Sequence, residues 1–485
     1  MSHFGKPKSK LVYLHYLFGL FLMFPFGRIV PPIEPLTEVG MQVMGVFAGA
    51  IWLWCFVGFL WPSFIALIAF GLTDFAAFGA VITSAFGNQM ATLLLFSMIL
   101  FGSPQHVGVT DYITRWFLTR KISNNRPIVF SFVFMFATYV LAVAVNVTPA
   151  LILMWTVLYA VLKELGYKPG DKYSTIMVIG TFLGAISGQA SLPFTGGTLV
   201  IVGVFYDVSD IAMPIPEYML LGFIFSNIVF IVYCLFIKFI FRPDMTNIKN
   251  INIEIFDRNP LPPMNMLQKT NFFGMLGFVA LVLLPSFLPN EFIVTRILLD
   301  LGPVGSALLL IGVMCMVRVE GQPILDFKAV AAKSINWEIY IMVVAAIAIS
   351  AALTNPATGV LDGMVALFYP ILGGHSPIVF FIVMLLVAIF ATSFAMNLII
   401  GVTLMPILVA FGSLAGANLA AVAATTILLL HYAIILPSAS AFAAMLWGNK
   451  DWVKPTEVLK YGAAIIVIAT TIAITIIMPI SLVLF

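Results

Sequence analysis

Asn146, Thr148 and Pro149 lie together in VAVNVTPALILM, residues 143–154, and Asn397 lies in FAMNLIIGVTLMP, residues 394–406. Both stretches are otherwise apolar. An amide, a hydroxyl and a helix breaker in such a run can end one helix, cap the next and leave polar groups free for a ligand. About 40 to 50 residues after each Asn comes a second interruption. Residues 180–203, GTFLGAISGQASLPFTGGTLVIVG, carry Ser187, Gly188, Gln189, Thr195, Gly196 and Gly197, and residues 430–448, LHYAIILPSASAFAAMLWG, carry His431, Pro437, Ser438 and Ser440. Between Lys172 and Asp207, and between Ser376 and Asn449, the chain has no Asp, Glu, Lys or Arg. A charged ligand held there relies on amides, hydroxyls and helix dipoles. Half-helix N-termini suit an anion, and half-helix C-termini with bare carbonyls suit a small cation.

The elements that position these residues must cross a membrane. Of 485 residues, 62% are hydrophobic and 9% charged, and the mean hydropathy is +1.11, against about a quarter charged in soluble domains. Crossings are expected at about 11–30, 41–59, 61–75, 86–103, 173–206, 218–241, 271–288, 299–317, 336–354, 418–448 and 459–485. That leaves 127–165 and 377–412 as re-entrant hairpins with polar tips. Arg115, Arg120, Lys121 and Arg126 precede the first hairpin and Lys163, Lys168 and Lys172 follow it, so both of its ends lie on one side. The flanks of the second hairpin, 355–376 and 412–418, have no Lys or Arg, so it enters from the other side. With this topology all but Arg28 and Arg296 of the 23 Lys and Arg fall on the N-terminal side, which the positive-inside rule makes cytoplasmic. The first apolar run ends in Pro31-Pro32 without a small-x-small site and reads as an uncleaved helix. Cys55, Cys234 and Cys315 sit in apolar runs as packing residues.

The expected fold is therefore all-α and polytopic, with about 11 transmembrane helices and two re-entrant hairpins in two inverted-topology repeats with broken helices. Residues 1–126 form scaffold helices and an interfacial helix, 127–242 the first transport-core half, 243–270 a cytoplasmic linker, 271–376 the scaffold of the second repeat, and 377–485 the second transport-core half. Interrupted segments at corresponding positions of inverted repeats point to a transporter's binding site. Taken singly, each Asn could be interhelical hydrogen-bonding glue; their matched placement argues for lining a site. His431 reads either as a proton relay or ligand contact, or as a neutral imidazole satisfied by a neighbouring helix. Gly184 and Gly188 have the small-xxx-small spacing of close helix packing. Glu338 complements a helix dipole at the start of its helix.

In segment order over the whole chain, the sequence resembles the divalent anion/sodium symporter family of the ion transporter superfamily. The segments include the basic amphipathic stretch DYITRWFLTRK, 111–121, and INWEIYIMVVAAIAISAAL, 335–353. That family's hairpin tips carry Ser-Asn-Thr. Here Asn146 stands between Val145 and Val147, and Asn397 between Met396 and Leu398. Pro406, Thr392 and Phe394 match the family around the second tip, and Thr195 and Ser440 match the Thr of its Thr-Pro-Pro breaks. The resemblance implies an elevator-type homodimer that couples sodium entry to uptake of a small anion. Together with the polar residues of the interruptions themselves, it puts the expected substrate contacts on Asn146, Thr148, Gln189, Thr195, Gly196, Asn397, Ser438 and Ser440, and the expected coupling ion on Asn146, Ser187, Gly188, Thr392, Asn397 and Pro437. The missing tip hydroxyls argue for a smaller or less charged anion, or one with an apolar portion.

The rival classes lack their residues. The chain has no HExxH, no CxxC, no phosphate loop and no Ser/His/Asp set at membrane depth, so an enzyme is not expected. Paired hairpins of opposite sense favour alternating access over a channel. A cation/proton antiporter usually needs a membrane-embedded carboxylate, which neither core has. The expectation is a multi-pass protein of the cell membrane, with its N-terminus cytoplasmic, carrying a small carboxylate-type or inorganic anion. Sodium is the expected coupling ion, with proton-coupled symport or anion exchange as alternatives. No cofactor, other metal or nucleic acid is expected.

Overall fold

A computed structural model describes residues 10–109, 112, 126–144, 146–194, 196–250, 263–289, 291–353 and 355–485. The first repeat opens with α1 (Val12–Ile29), α2 (Glu38–Phe56) and α3 (Leu60–Gly71), followed by the bent pair α4 (Phe78–Phe86) and α5 (Gln89–His106). Next come a helical hairpin, α6 (Pro127–Ala144) and α7 (Val147–Glu164), a broken helix, α8 (Lys172–Ala190) and α9 (Gly196–Ser209), and the long α10 (Ile215–Phe241). The second repeat keeps the sequence of bent pair, hairpin, broken helix and long helix, with two helices instead of three before the bent pair. It runs through α11 (Met266–Ser286), α12 (Ile293–Met316), a second bent pair, α13 (Phe327–Ser334) and α14 (Trp337–Leu353), and a short helix, α15 (Val360–Leu372). The second hairpin, α16 (Pro377–Phe394) and α17 (Asn397–Ala415), the second broken helix, α18 (Leu419–Leu430) and α19 (Ala441–Gly448), and α20 (Pro455–Leu484) complete it. Among the described residues, ten helices are long and apolar enough to cross a membrane, or twelve if each bent pair is one span.

Polar caps inside apolar chain set the boundaries. Thr37 accepts from the Gly40 N–H at the start of α2, Asn88 from Met90 at α5, and Asn418 from Ala421 at α18. Asn265 and Gln268 form a reciprocal capping box at α11. Two such caps correct the expected spans. The crossing at 86–103 is one limb of a pair bent by 46°, broken where Asn88 caps α5, and the crossing at 336–354 is one limb of a pair bent by 75°. At the second bend the Asn336 side chain accepts from the Ile339 N–H, at 3.2 Å. The flank 355–376, for which no crossing is expected, holds α15. The crossing at 61–75 is the twelve-residue α3. Of the stretch 111–121 and the linker 243–270, residues 111, 113–121 and 251–262 lie outside the described residues.

Packing ties the first limb of each broken helix to its own hairpin, while α9 crosses to α17 of the other hairpin. α8 lies along α6 and α7, α18 lies along α16 and α17, and α10 meets α20 across the middle. The bent pairs cross reciprocally, α13 against α5 and α14 against α4. A Cβ on Gly184 would stand 2.4 Å from the Met135 carbonyl oxygen, and one on Gly188 2.5 Å from that of Tyr139, so α8 touches the backbone of α6. Gly184 and Gly188 are thus packing glycines. Large apolar side chains remain exposed on the outer faces, for example Leu17, Phe223, Ile231 and Phe390, as a lipid-facing surface requires.

Gly188→Ala should lower the melting temperature of the detergent-purified protein, since overpacking costs about 1–3 kcal/mol. Gly277→Ala, with no atom within 4 Å of the new Cβ, should not. Equal melting temperatures for the two variants would refute the close α8–α6 contact.

Candidate functional site

The two hairpin tips end one helix and start the next through an asparagine. Asn146 has φ +137°, a conformation that L side chains rarely adopt, and its Oδ1 accepts from the Val147 N–H at 2.6 Å. Asn397 donates its own N–H to the Ala439 carbonyl at 2.9 Å, while its Oδ1 accepts from the Leu398 N–H at 2.9 Å. The second tip is therefore pinned to the second break. The Ser438 hydroxyl adds a bond to the Phe394 carbonyl at 2.9 Å, and the Thr392 hydroxyl one to Leu430 at 3.4 Å.

At the first break, α8 stops at Ala190, whose carbonyl accepts from the Tyr218 hydroxyl at 2.9 Å, and the Gln189 carbonyl accepts from Thr198 at 3.0 Å. The chain re-enters helix at Gly196 with φ +53°. A Cβ there would also meet Gln189 Nε2 at 2.9 Å, so glycine serves both the turn and the approach of the amide. At the second break, Ser440 caps α19 by accepting from the Ala443 N–H at 2.9 Å.

These elements surround a chamber of about 600 Å³. The hairpin and breaks contribute Asn146, Thr148, Gln189, Gly196, Gly197 and Phe442 to its wall. The opposite wall comes from α5, with Ser97 and Gln105, and from the α13–α14 bend, with Lys333, Asn336 and Glu338. Beyond Gln189, Gly197 and Phe442 lies an annex of about 60 Å³, which Asn397, His431 and Ser440 also line. Four helices, α7, α9, α17 and α19, begin at the walls of the two cavities, and each N-terminus brings roughly half a positive charge and free N–H groups. Lys333 is the one cationic side chain among the described residues of the chamber wall.

Of the residues picked out in the sequence, Asn146, Thr148, Gln189 and Gly196 share the chamber, and Asn397, Ser440 and His431 share the annex. Thr195 lies outside the described residues. Ser187 and Thr392 are buried and line neither cavity: Ser187 bonds the Tyr432 hydroxyl at 3.2 Å and Thr392 the Leu430 carbonyl. Gly188 packs on Tyr139. Pro437 and Ser438 are exposed outside both walls. The His431 ring is held at both nitrogens, with Nδ1 2.8 Å from the Ile427 carbonyl and Nε2 3.1 Å from the Thr198 hydroxyl. The carbonyl only accepts, so Nδ1 carries a hydrogen. Sequence reasoning passed over Lys333, Asn336, Ser97 and Gln105, which lie outside the hairpins and breaks, and gave Glu338 only a dipole role. The signal that could have found the bend was Asn336, a capping residue in front of a long apolar run.

A family model described as a citrate transporter matches residues 47–430. Among solved structures, the chain is similar to the Alcanivorax borkumensis YdaH transporter, with a TM-score of 0.55 and 13% identity over 96% of this chain and 98% of that one. It is also similar to Neisseria gonorrhoeae MtrF, described with a class of antimetabolite efflux pumps, with a TM-score of 0.56 and 15% identity over 97% and 95%. At such identities the likeness is one of fold. No curated protein matches the chain.

Gly196→Ala should destabilise the purified protein by about 1–2 kcal/mol, because an L side chain must hold the left-handed conformation. Gly197→Ala should be near neutral, its Cβ meeting only Leu398 at 3.6 Å. Thermal unfolding of the two variants side by side checks the break geometry, and a larger loss at Gly197 would contradict it.

Proposed function

The chain belongs to the citrate transporter family and is a membrane transporter, not an enzyme; from that premise we propose that it carries a small carboxylate-type anion across the cell membrane by sodium-coupled symport. The observation that carries the reading is the meeting of three helix N-termini, those of α7, α9 and α19, the amides of Asn146 and Gln189 and the Lys333 ammonium around one chamber. Such a set supplies several N–H donors and partial positive charge to a carboxylate at membrane depth, without the full desolvation cost of a buried counter-ion.

The chamber is accessible from the first-hairpin side. Asn146, Thr148, Lys333 and Asn336 are exposed, whereas Asn397, Ser440 and His431 are buried. Combined with the concentration of Lys and Arg on the N-terminal side, this supports a state open to the cytoplasm. In the proposed cycle the two halves 127–242 and 377–485 move together as a transport core against the remaining helices in an elevator-type exchange of access, within a homodimer. The pinning of the second tip to the second break through Asn397 and Ala439 favours their motion as one unit.

A second reading, proton coupling, draws on one arrangement. Thr198 has a single hydroxyl hydrogen but faces two groups, the Gln189 carbonyl and His431 Nε2. A doubly protonated His431 would satisfy all its contacts at once, Nδ1–H to Ile427 and Nε2–H to Thr198, with Thr198 donating to Gln189. Among the described residues, no Asp, Glu, Lys or Arg lines the annex.

Proteoliposome uptake of mono-, di- and tricarboxylates and sulfate, with sodium and pH gradients imposed separately, tests both readings. Saturable, sodium-driven uptake of a carboxylate is the expected outcome, and uptake of none of these anions would defeat the proposal. Proton-driven uptake whose pH dependence disappears in His431→Gln selects the second reading. Asn146→Gly, which keeps the backbone conformation accessible, and Asn397→Ala should each abolish uptake while the protein remains folded and inserted. With the three native cysteines replaced, Thr148→Cys should react with an impermeant maleimide from the cytoplasmic face; labelling only from outside would reverse the orientation.

A further inference from the structure

The chamber and its annex differ in chemistry. The chamber is faced with amides, hydroxyls and Lys333, but the annex is walled mainly by Ile201, Ile339, Met396, Leu398 and Phe442. Most of its polar groups already have partners inside the protein. Asn397 Oδ1 takes the Leu398 N–H, Ser440 Oγ takes the Ala443 N–H, and both nitrogens of His431 are held. Of the three helix N-termini that reach this side, those of α17 and α19 thus have a leading N–H group capped by the chain's own side chains, and that of α9 reaches it through Gly197. What remains are the neutral amides of Gln189 and Asn397 and the leading backbone N–H groups of α9 and α19, and among the described residues no cationic side chain, against the charge compensation that a fully buried carboxylate requires. About 10–15 Å³ of such space seats one water-sized group, so an annex of about 60 Å³ takes a side group of a few heavy atoms.

We propose that the annex is an apolar subsite and that the cargo is an amphipathic monocarboxylate, its carboxylate held in the chamber and its short branched or cyclic hydrocarbon group passing between Gln189 and Phe442 into the annex. The inference rests on the carboxylate reading and narrows it. A second carboxylate of a dicarboxylate would enter a mainly apolar annex with no cationic side chain among its described residues, whereas a hydrocarbon group there gains by leaving water.

Isovalerate and succinate are nearly the same size and share one CH2–carboxylate end, the remainder being an isopropyl group in the first and a carboxymethyl group in the second, so they separate the two possibilities. Equilibrium dialysis of each labelled acid against the full-length purified protein should give isovalerate at least about tenfold tighter binding, since each buried methyl-sized group contributes roughly fourfold. Leu398→Ser should erase most of that advantage. Leu398→Met, which conserves volume and apolarity, should keep it and so guards against a folding defect. Succinate binding as tightly as isovalerate, or an advantage unmoved by Leu398→Ser in folded protein, overturns the apolar subsite and leaves the carboxylate reading intact. Saturable binding of neither acid, together with no carboxylate uptake in proteoliposomes, overturns both.

Discussion

A helix that stops inside a membrane strands backbone N–H and C=O groups where no lipid can bond them, and the interior of this protein is organised around satisfying those groups. Asn146, Asn397 and Ser440 cap the helices that restart. Tyr218, Thr198, Ser438 and Thr392 supply hydroxyls to carbonyls near the helix ends. Most of these bonds cross from one element to another: α10 to α8, α18's break to the second hairpin, and the second hairpin to α18. The polar residues that look like ligands in the sequence are thus, in large part, the residues that make interrupted helices tolerable. Only those with capacity left over and access to a cavity can serve a cargo as well.

That division explains why the two halves, built in the same order, do not offer the same surface. The first tip faces the chamber with Asn146 and Thr148 exposed. The second is drawn onto its own break by the Asn397–Ala439 bond and turns Met396 and Leu398 to a small annex. Gln189 and Phe442, one from each broken helix, stand at the boundary between the two cavities, so the site belongs to both repeats rather than to either.

The bent pairs bring a contribution from outside the hairpins. α13 crosses α5 so closely that a Cβ on Gly102 would meet Ser334 Oγ at 2.0 Å, and this contact carries Lys333 and Asn336 to the chamber wall. The positive charge that the hairpin tips and breaks lack is thereby supplied from a neighbouring helix. In the proposed function this charge balances a carboxylate from outside the hairpins and breaks.

Much of this was legible in the sequence. The membrane class, the two hairpins with asparagine tips, the two broken helices and their repeated order all follow from apolar runs of fixed length and from breakers within them, because the bilayer leaves few other ways to place a polar backbone group. The packing role of Gly184 and Gly188 was legible from spacing alone. The bends at Asn88 and Asn336, the helix α15 and the place of Lys333 were not, since one capping asparagine in a long apolar run looks like any other polar residue until neighbouring helices fix the angle. Sequence also could not separate the polar residues that face a cavity, Asn146, Thr148 and Gln189, from those spent on internal bonds, Ser187 and Thr392. One-dimensional order determines where a helix must break, because breaking is a local property of the backbone. Which of the freed groups bond to one another and which face a cavity is decided only when distant helices pack, because each hydroxyl and amide has a limited number of hydrogen bonds to give.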